Sequence, residues 1–479
     1  MGDTTATSRH VPEPLGGYDT SFFHFSDHSP MHTLKCLVLD TSRRGAPLTL
    51  DDVSRAMAPR LGLHPRARQR AVRSATLPGR YCWYDDPEFE LADHLGETTL
   101  RSPDAFDELC GHLATEQLPL DRPLWHATLV HGLARDRQAL VFRVHHAIMD
   151  GIGAANTLRR FTSDAPHGAI PVDHDRRWSP PPIPDERALR RKAVRSVPGW
   201  GRALGRYALE TVTTSAERRV DAKLIAERDD LIGLRSEATY GWTGVRFGGR
   251  RTCASGALPL SAFREVKDAH GVTINDVLVA VVGEAVAEEA RARDWERDDD
   301  EIAMFSIALD TDPDRLCGNE IMAISVPMHT KGDDLADRLQ RIAHTNHDQI
   351  ELTRRQQNRR SVRITDLWAR SFALGARVFA YRIPTMVANV VMANVPLSPT
   401  TRWAGDVEVV DFLSYAVLVQ PIGINVTVYS YDGRMNIGLL TAPEVIDDPH
   451  RLILRMEDAL ERFRSAPSRS DDVAALRRA

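Results

Sequence analysis

Nowhere in the 479 residues do 18 apolar positions run together. A helix needs about 20 to cross a bilayer, and the nearest approach, Phe372 to Val395, is broken by Arg377, Arg382 and Pro384. Paired cysteines are missing as well. Cys36, Cys82, Cys110, Cys253 and Cys317 are scattered, odd in number and form no CxxC, which leaves no zinc or dithiol motif and fits a reduced compartment. Basic charge is not in excess: 61 Lys and Arg stand against 66 Asp and Glu, a net charge of −5, so the footprint of a nucleic-acid binder is lacking. No GxxxxGK[ST] loop is present, which argues against nucleotide hydrolysis. The N-terminal MGDTTATSRHVPEPLGG has no apolar core of the kind a signal peptide carries. The expected location is cytoplasmic.

What is present is an ordinary globular composition, 42% hydrophobic and 27% charged, with length for about two to four domain-sized units. Strand patterns are read at 33–40, 138–146, 251–258, 302–309, 321–328, 407–412 and 423–430, with another inside 120–133 that pairs with 138–146 as a hairpin. Helical patterns fit 50–61, 103–118, 151–161, 185–230, 260–269, 274–293, 333–385 and 449–464. The two kinds intermix without βαβ alternation, so an α+β fold with mixed or antiparallel sheets is expected. The division read from composition is a flexible N-terminus at 1–18, a first domain at 19–163, a Pro-rich linker and basic helical crossover at 164–245, a second domain at 246–465 and a tail at 466–479. Asp432-Gly433 reads as a type I′ hairpin turn. The arginine clusters at 186–206 and 354–363 read as solvated helix faces or as attractors of an anionic surface.

The stretch VHHAIMDG, Val144 to Gly151, concentrates the chemistry. Strand alternation places Phe142, Val144 and His146 on one face and Arg143 and His145 on the other, so one metal shared by the two histidines is not expected. His146 falls where strand gives way to turn, and a neutral imidazole there can take a proton from a hydroxyl or thiol. Asp150 can orient a ring or tie down the turn; Gly151 can bend the chain or admit a close neighbour. On the residues alone, a pair of satisfied histidines at a domain edge explains the stretch equally well.

The pattern HHxxxDG, here His145, His146, Asp150 and Gly151, resembles the signature of the CoA-dependent acyltransferase superfamily. Further segments resemble, in order, its wax ester synthase/diacylglycerol acyltransferase branch: SPMH at 29–32, WYDDPEFELADHL at 83–95, LDRPLW at 120–125, GVTINDVLVAVV at 271–282, ANVPLSP at 393–399 and GINVTVYSYDGRMNIGL at 423–439. The similarity runs from about residue 19 to 465. It implies two chloramphenicol-acetyltransferase-like domains forming a pseudodimer, with the active-site channel between them. It also implies an acyl-CoA-dependent O-acyltransferase that carries a long-chain acyl group to diacylglycerol or a long-chain alcohol. His146 would be the general base, His145 its support, and Asp150 a structural residue holding the loop through an arginine. Asn275 and Asp276 would help complete the site, and Asn394 and Pro396 would line the channel. No bound cofactor is implied; acyl-CoA is the co-substrate, the acceptor is a lipid hydroxyl, and a peripheral place on the inner membrane face or lipid droplets follows. Two other readings stay open: an O-acyltransferase for another hydroxyl acceptor, such as a specialised metabolite or carrier-bound chain, and a lipid-binding protein with a relic site.

The plain structural readings stand beside these. Pro123, Leu124 and Trp125 suit packing, Val277 to Val282 suits a buried helix face, and Asn275 suits a helix N-cap. The chain also departs from the family pattern. Ala393 and Leu397 replace a serine and a glycine, Asp310 stands near an expected arginine, Glu320 replaces a basic residue, and His126 replaces an acid.

Overall fold

The computed structural model describes residues 12–467, apart from 27–28, 77–80, 135, 174–177, 229, 233–241, 243–244, 296–297, 333, 360, 362, 364–366 and 368–387. Two six-stranded sheets organise it. In the first, β2 (His32–Asp40) pairs antiparallel with β7 (Arg137–His145), His32 opposite His145 and Lys35 opposite Phe142. β6 (Trp125–His131) joins β7 as the expected hairpin, and β5 (Leu95–Thr99) lies parallel to β6. On the far side of β2 come β13 (Val407–Tyr415) and β12 (Arg402–Ala404), with Ser414 opposite Lys35. These two strands come from the second half of the chain, so a boundary at 246 divides the sequence but not the sheets.

The second sheet runs β10 (Ile321–Pro327), β9 (Ile302–Ala308), β11 (Val390–Ser398), β14 (Ile424–Tyr431), β15 (Arg434–Thr441) and β8 (Thr252–Pro259). β11 is parallel to both neighbours, and the remaining pairs are antiparallel. The β14–β15 turn has Asp432 at φ 46° and Gly433 at φ 75°, the two positive angles that a type I′ turn requires. A small sheet of β1 (Glu13–Pro14), β4 (Cys82–Asp85) and β3 (Gln69–Val72) flanks the first.

The helices are α1 (Gly17–Phe25), α2 (Leu50–Met57), α3 (Phe106–Thr115) and α4 (Gly151–Phe161) in the first half, then α5 (Glu186–Arg195), α6 (Val197–Thr213) and α7 (Ser215–Glu227) in the crossover. The second half carries α8 (Leu260–His270), α9 (Ile274–Ala292), α10 (Leu335–Asn358) and α11 (His450–Ser465). Among the described residues no single helix is long and apolar enough to cross a membrane. Val277 to Val282 of α9 are buried in the main core.

β2 is covered on both faces, which is why TLKCLVLD reads as nearly continuous apolar chain. Leu34 and Cys36 pack with Phe106, Cys110 and Leu113 of α3. Leu37 and Leu39 face the other way, toward Ala155 and Leu158 of α4 and Val395, Leu397 and Tyr429 of the second sheet. The site develops on this second face, where the sheets approach each other.

Three expectations change. The N-terminus is folded well before residue 19: β1 pairs with β4, Leu15 is fully buried, and α1 starts at Gly17. Helix 333–385 is α10 only to Asn358, and most of its remainder, like the apolar stretch from Phe372, lies outside the described residues. β1, β3, β4, β5, β11 and β12 were not among the expected strands, and β15 was expected only as the second arm of the Asp432-Gly433 hairpin. The tail from 468 is also outside the described residues.

Candidate active site

The histidine loop is pinned through its backbone before any side chain acts. The His145 N–H donates to the Leu124 carbonyl at 2.9 Å and the His146 N–H to the Met31 carbonyl at 2.8 Å. The His146 carbonyl accepts from Asn319 Nδ2 at 2.7 Å. Helix α1 then lays two rings against the pair. Phe22 stacks on His146 at 4.3 Å between centroids and 12° between planes, and Phe23 lies 4.8 Å from His145.

The two imidazoles are handled differently. His145 is buried, its Nδ1 accepts the Ala147 N–H at 3.2 Å, and its Nε2 lies 3.0 Å from Ser26 Oγ. Because Nδ1 accepts, the proton of the neutral ring sits on Nε2 and is donated to Ser26 Oγ. Ser26 Oγ in turn donates to the Phe22 carbonyl at 2.7 Å. Burial, with the neighbouring His32 and His146, pushes its pKa down to about 3. His145 is thus a neutral, fully engaged ring. His146 is half-buried, and its Nδ1 is buried without a hydrogen-bond partner. Burial first and the Lys35 ammonium second push its pKa down to about 4. The ring is therefore neutral at neutral pH, held flat against Phe22, and free to accept a proton.

Asp150 is turned away from both imidazoles. Its carboxylate caps α4 by accepting the Gly153 N–H at 2.9 Å, accepts the Glu320 N–H at 3.1 Å, and pairs with Arg315 at 3.0 Å. The Gly318 N–H reaches the Ile148 carbonyl at 2.8 Å, so residues 148–150 are locked to 315–320. Gly151 opens α4 against β11. A Cβ there would meet Val395 Cγ2 at 2.7 Å and the Tyr429 hydroxyl at 3.3 Å, so a close approach, rather than an unusual φ, requires the glycine.

The other sequence-derived residues divide. Leu124 and Trp125 are core residues beneath the loop, with Trp125 Nε1 donating to the Ala67 carbonyl at 2.8 Å. The Pro123 carbonyl accepts the Trp125 N–H. In the second half, Thr273, not Asn275, is the N-cap of α9. Asp276 completes its capping box and accepts from Asn346 Nδ2 at 2.7 Å, buried and away from the histidines. Asn275 Oδ1 accepts from Asn394 Nδ2 at 3.1 Å. Neither asparagine hydrogen-bonds to residues 145–151, and Pro396 is exposed on β11. The structure thus brings together His145, His146, Asp150 and Gly151, and separately Asn275 and Asn394. Among the described residues no group of three or more His, Cys, Asp and Glu could hold a metal ion.

Comparison with known proteins places this geometry. The model of the wax ester synthase/diacylglycerol acyltransferase catalytic domain matches residues 15–278, and that of the WS/DGAT C-terminal domain matches residues 317–464. The chain belongs to the wax ester synthase/diacylglycerol acyltransferase family. A Mycobacterium tuberculosis protein carrying the provisional name diacylglycerol O-acyltransferase is 29% identical over 442 residues, covering 88% of this chain and 91% of its own. The wax ester synthase/diacylglycerol acyltransferase of Marinobacter aquaeolei VT8 superposes with a TM-score of 0.61 at 20% identity over 94% of this chain and 98% of that one. The first condensation domain of the calcium-dependent antibiotic synthetase gives a TM-score of 0.59 at 14% identity over 96% of this chain and 98% of its own. The fold is accordingly α+β, two chloramphenicol-acetyltransferase-like domains, and the protein is an acyltransferase of this family.

Within that frame, the departures acquire places. Asp310 joins the Asp150–Arg315 pair, its carboxylate 3.4 Å from Arg315 Nε. Glu320 pairs with Arg363 at 2.7 Å. Leu397 is buried, and its carbonyl accepts from Arg159 Nη1 at 2.7 Å. His126 is a half-buried ring on β6, pushed down to about 4 by burial and by Arg143.

Four site residues escaped sequence reading. Phe22 and Phe23 stack on the histidines. Asp19 accepts from both the backbone and the side chain of Asn319, 300 positions away, at 3.1 and 2.7 Å, and so braces the residue that holds the His146 carbonyl; burial pushes its carboxyl up to about 6. Lys35 faces the same space as His146. The aromatic run YDTSFFHF was the one available signal for α1; nothing in sequence points to the Asp19–Asn319 contact.

Proposed function

We propose that this acyltransferase moves a long-chain acyl group from acyl-CoA to a lipid hydroxyl, either diacylglycerol or a long-chain alcohol, with His146 as general base. The observation that carries the reading is the neutral His146 ring, stacked on Phe22 with its Nδ1 unpartnered, at a strand end that Asn319, Met31 and Asp150 hold from three sides. The acceptor hydroxyl attacks the thioester carbonyl as His146 takes its proton. The new C–O bond forms, the C–S bond breaks, and the proton passes to the leaving CoA thiolate. General-base help of this kind contributes about 10²–10⁴-fold, beyond what positioning in the channel gives. His145 and Asp150 act as supports, the first by packing and the second by fixing the loop; Asn275 with Asn394 borders the second-domain side.

A lipid acceptor calls for contact with a lipid surface, and the crossover helices suit it. α6 buries none of its side chains, and Leu204, Leu209 and Val212 stand exposed on it beside Val194 and Val197. Arg190 and Arg191 are exposed on the adjoining helix, whereas Lys192 is engaged by Tyr84. An apolar face with flanking arginines matches an anionic membrane. Leu209→Ser/Val212→Ser with Arg190→Glu/Arg191→Glu should weaken sedimentation with phosphatidylglycerol vesicles; unchanged binding would remove this contact from the proposal. The reaction itself is tested by acceptor-dependent thiol release from palmitoyl-CoA.

The departures at Ala393 and Leu397 favour a second reading, in which another hydroxyl compound is the acceptor. An alcohol panel run against one acyl-CoA separates the two.

A further inference from the structure

Lys35 is the most unexpected residue in the first sheet: a cation in the middle of TLKCLVLD, 8% exposed. Its register settles where it points. Lys35 lies opposite Phe142 on one side and Ser414 on the other, and cross-strand partners project to the same face. Phe142 and Val144 share that face by alternation, and the Lys35 ammonium lies near enough to His146, in the turn after β7, to lower its pKa, so Lys35 faces the space between the sheets on the His146 side. Its ammonium donates to Ser414 Oγ at 2.7 Å and to the Tyr429 hydroxyl at 3.5 Å, and it sits 5.4 Å from the centre of the Tyr429 ring. These are neutral partners. No described carboxylate pairs with Lys35; Asp150, whose charge reaches it, is already committed to Arg315 and two backbone N–H groups. Burial pushes the Lys35 ammonium down to about 8, as expected of a cation lacking a counter-charge.

A buried charge is costly unless it is paired, and a neutral alcohol or diacylglycerol would leave this one alone. We propose that Lys35, Ser414 and Tyr429 form an anion subsite beside His146, and that the acceptor is a long-chain hydroxy acid whose carboxylate pairs with Lys35 while its hydroxyl reaches His146. One ammonium balances one carboxylate, whereas a phosphate monoester brings about 1.5–2 negative charges. Because the Lys35 ammonium lies near enough to the His146 ring to lower its pKa, carboxylate and hydroxyl belong close together on the acceptor. This inference rests on the acyltransfer reading above and narrows its acceptor.

The test uses the full chain with palmitoyl-CoA and three acceptors: 3-hydroxyhexadecanoate, its methyl ester and hexadecanol. The acid and ester present the same hydroxyl and differ only in charge. The wild type should prefer the acid by about thirtyfold or more in kcat/KM, the size of effect seen when a desolvated charge pair loses a partner. Lys35→Met and Lys35→Gln should abolish the preference, the acid losing about thirtyfold more in kcat/KM than the ester and losing it through KM, and Lys35→Arg should keep part of it. Removing an unpaired buried charge should raise the melting temperature of Lys35→Met. Equal rates with acid and ester in the wild type would overturn the proposal, as would an equal loss on both acceptors in the variants. A rise in KM for palmitoyl-CoA with every acceptor, absent with an octanoyl thioester of N-acetylcysteamine, would assign Lys35 to the CoA phosphates and overturn it too. Calorimetric binding of 3-hydroxyhexadecanoate to His146→Ala, with and without Lys35→Met, reads the subsite without turnover, so its failure is distinguishable from failure of His146 as the base.

Discussion

Each half of the chain carries a motif with an aspartate at the start of a helix, and the two aspartates do closely related work. Asp150 caps α4 and ties the histidine loop to Arg315 and Glu320. Asp276 closes the capping box of α9 with Thr273 and holds Asn346. The residues before them differ. His146 leaves the Nδ1 of a neutral ring without a partner, while Asn275 is engaged with Asn394. Most of both motifs therefore builds a helix start in a fixed place, and the first alone also presents an imidazole, the proposed base.

The comparison breaks most readily at Asp150. Asp150→Ala removes the nearer of the two carboxylates that hold the largely buried Arg315, leaving Asp310 at 3.4 Å, and also removes a cap; it should cost about 3–5 kcal/mol together with activity, read by denaturant unfolding and by thiol release. Asp276→Ala removes a cap and one partner of Asn346 in a well-packed helix, and should cost about 1–2 kcal/mol with activity per folded molecule largely kept. Equal losses of stability in the two variants would erase the asymmetry. Between them falls Gly151→Ala, whose methyl group would press on Val395 of β11; overpacking of this kind costs about 1–3 kcal/mol and should slow turnover by shifting the loop.

Acid should sharpen the same contrast. Burial lowers the folded-state pKa of His32 and His64 to about 4 and of His145 to about 3. These rings stay neutral in the fold while the unfolded chain binds protons below about 6.5. The unfolded state then holds more protons, so the stability these rings contribute is present above about pH 6.5 and is lost as pH falls toward 3–4. All three lie in the first half of the chain. Hydrogen exchange at pH 5 against pH 7 should show α1 and β7 losing protection before α9; the reverse order would contradict the assignment. The smallest effect is expected for Asn275→Ala, which removes one asparagine–asparagine bond of about 0.5–1.5 kcal/mol and should change acceptor KM more than stability.

The legible part of the fold was the part with local periodicity. β2, β7, α4, α8 and α9 fall within a residue or two of where alternation and helical spacing put them. β11 was missed because it is parallel on both sides, so its apolar run has no alternation, and Pro396 argues against a strand. The α1 helix was missed because nine residues with no side-chain cap give a weak pattern. The histidine loop was legible as a motif, and alternation correctly separated its two rings. What could not be read were contacts made by long-range register: Asp19 with Asn319, and Lys35 with Ser414. Lys35 is visible in the sequence as a lone cation in an apolar strand, but only pairing with β7 and β13 shows that it shares a face with Phe142 and Ser414.

The role of His146 is tested most directly by release of free CoA thiol from palmitoyl-CoA, measured with hexadecanol, with diacylglycerol, with 3-hydroxyhexadecanoate and with no acceptor, for the wild type and His146→Ala. Acceptor-dependent release in the wild type that falls by about 10²–10⁴-fold in a variant with the same melting temperature is the predicted result. Release that survives the substitution, or that needs no acceptor, would contradict it.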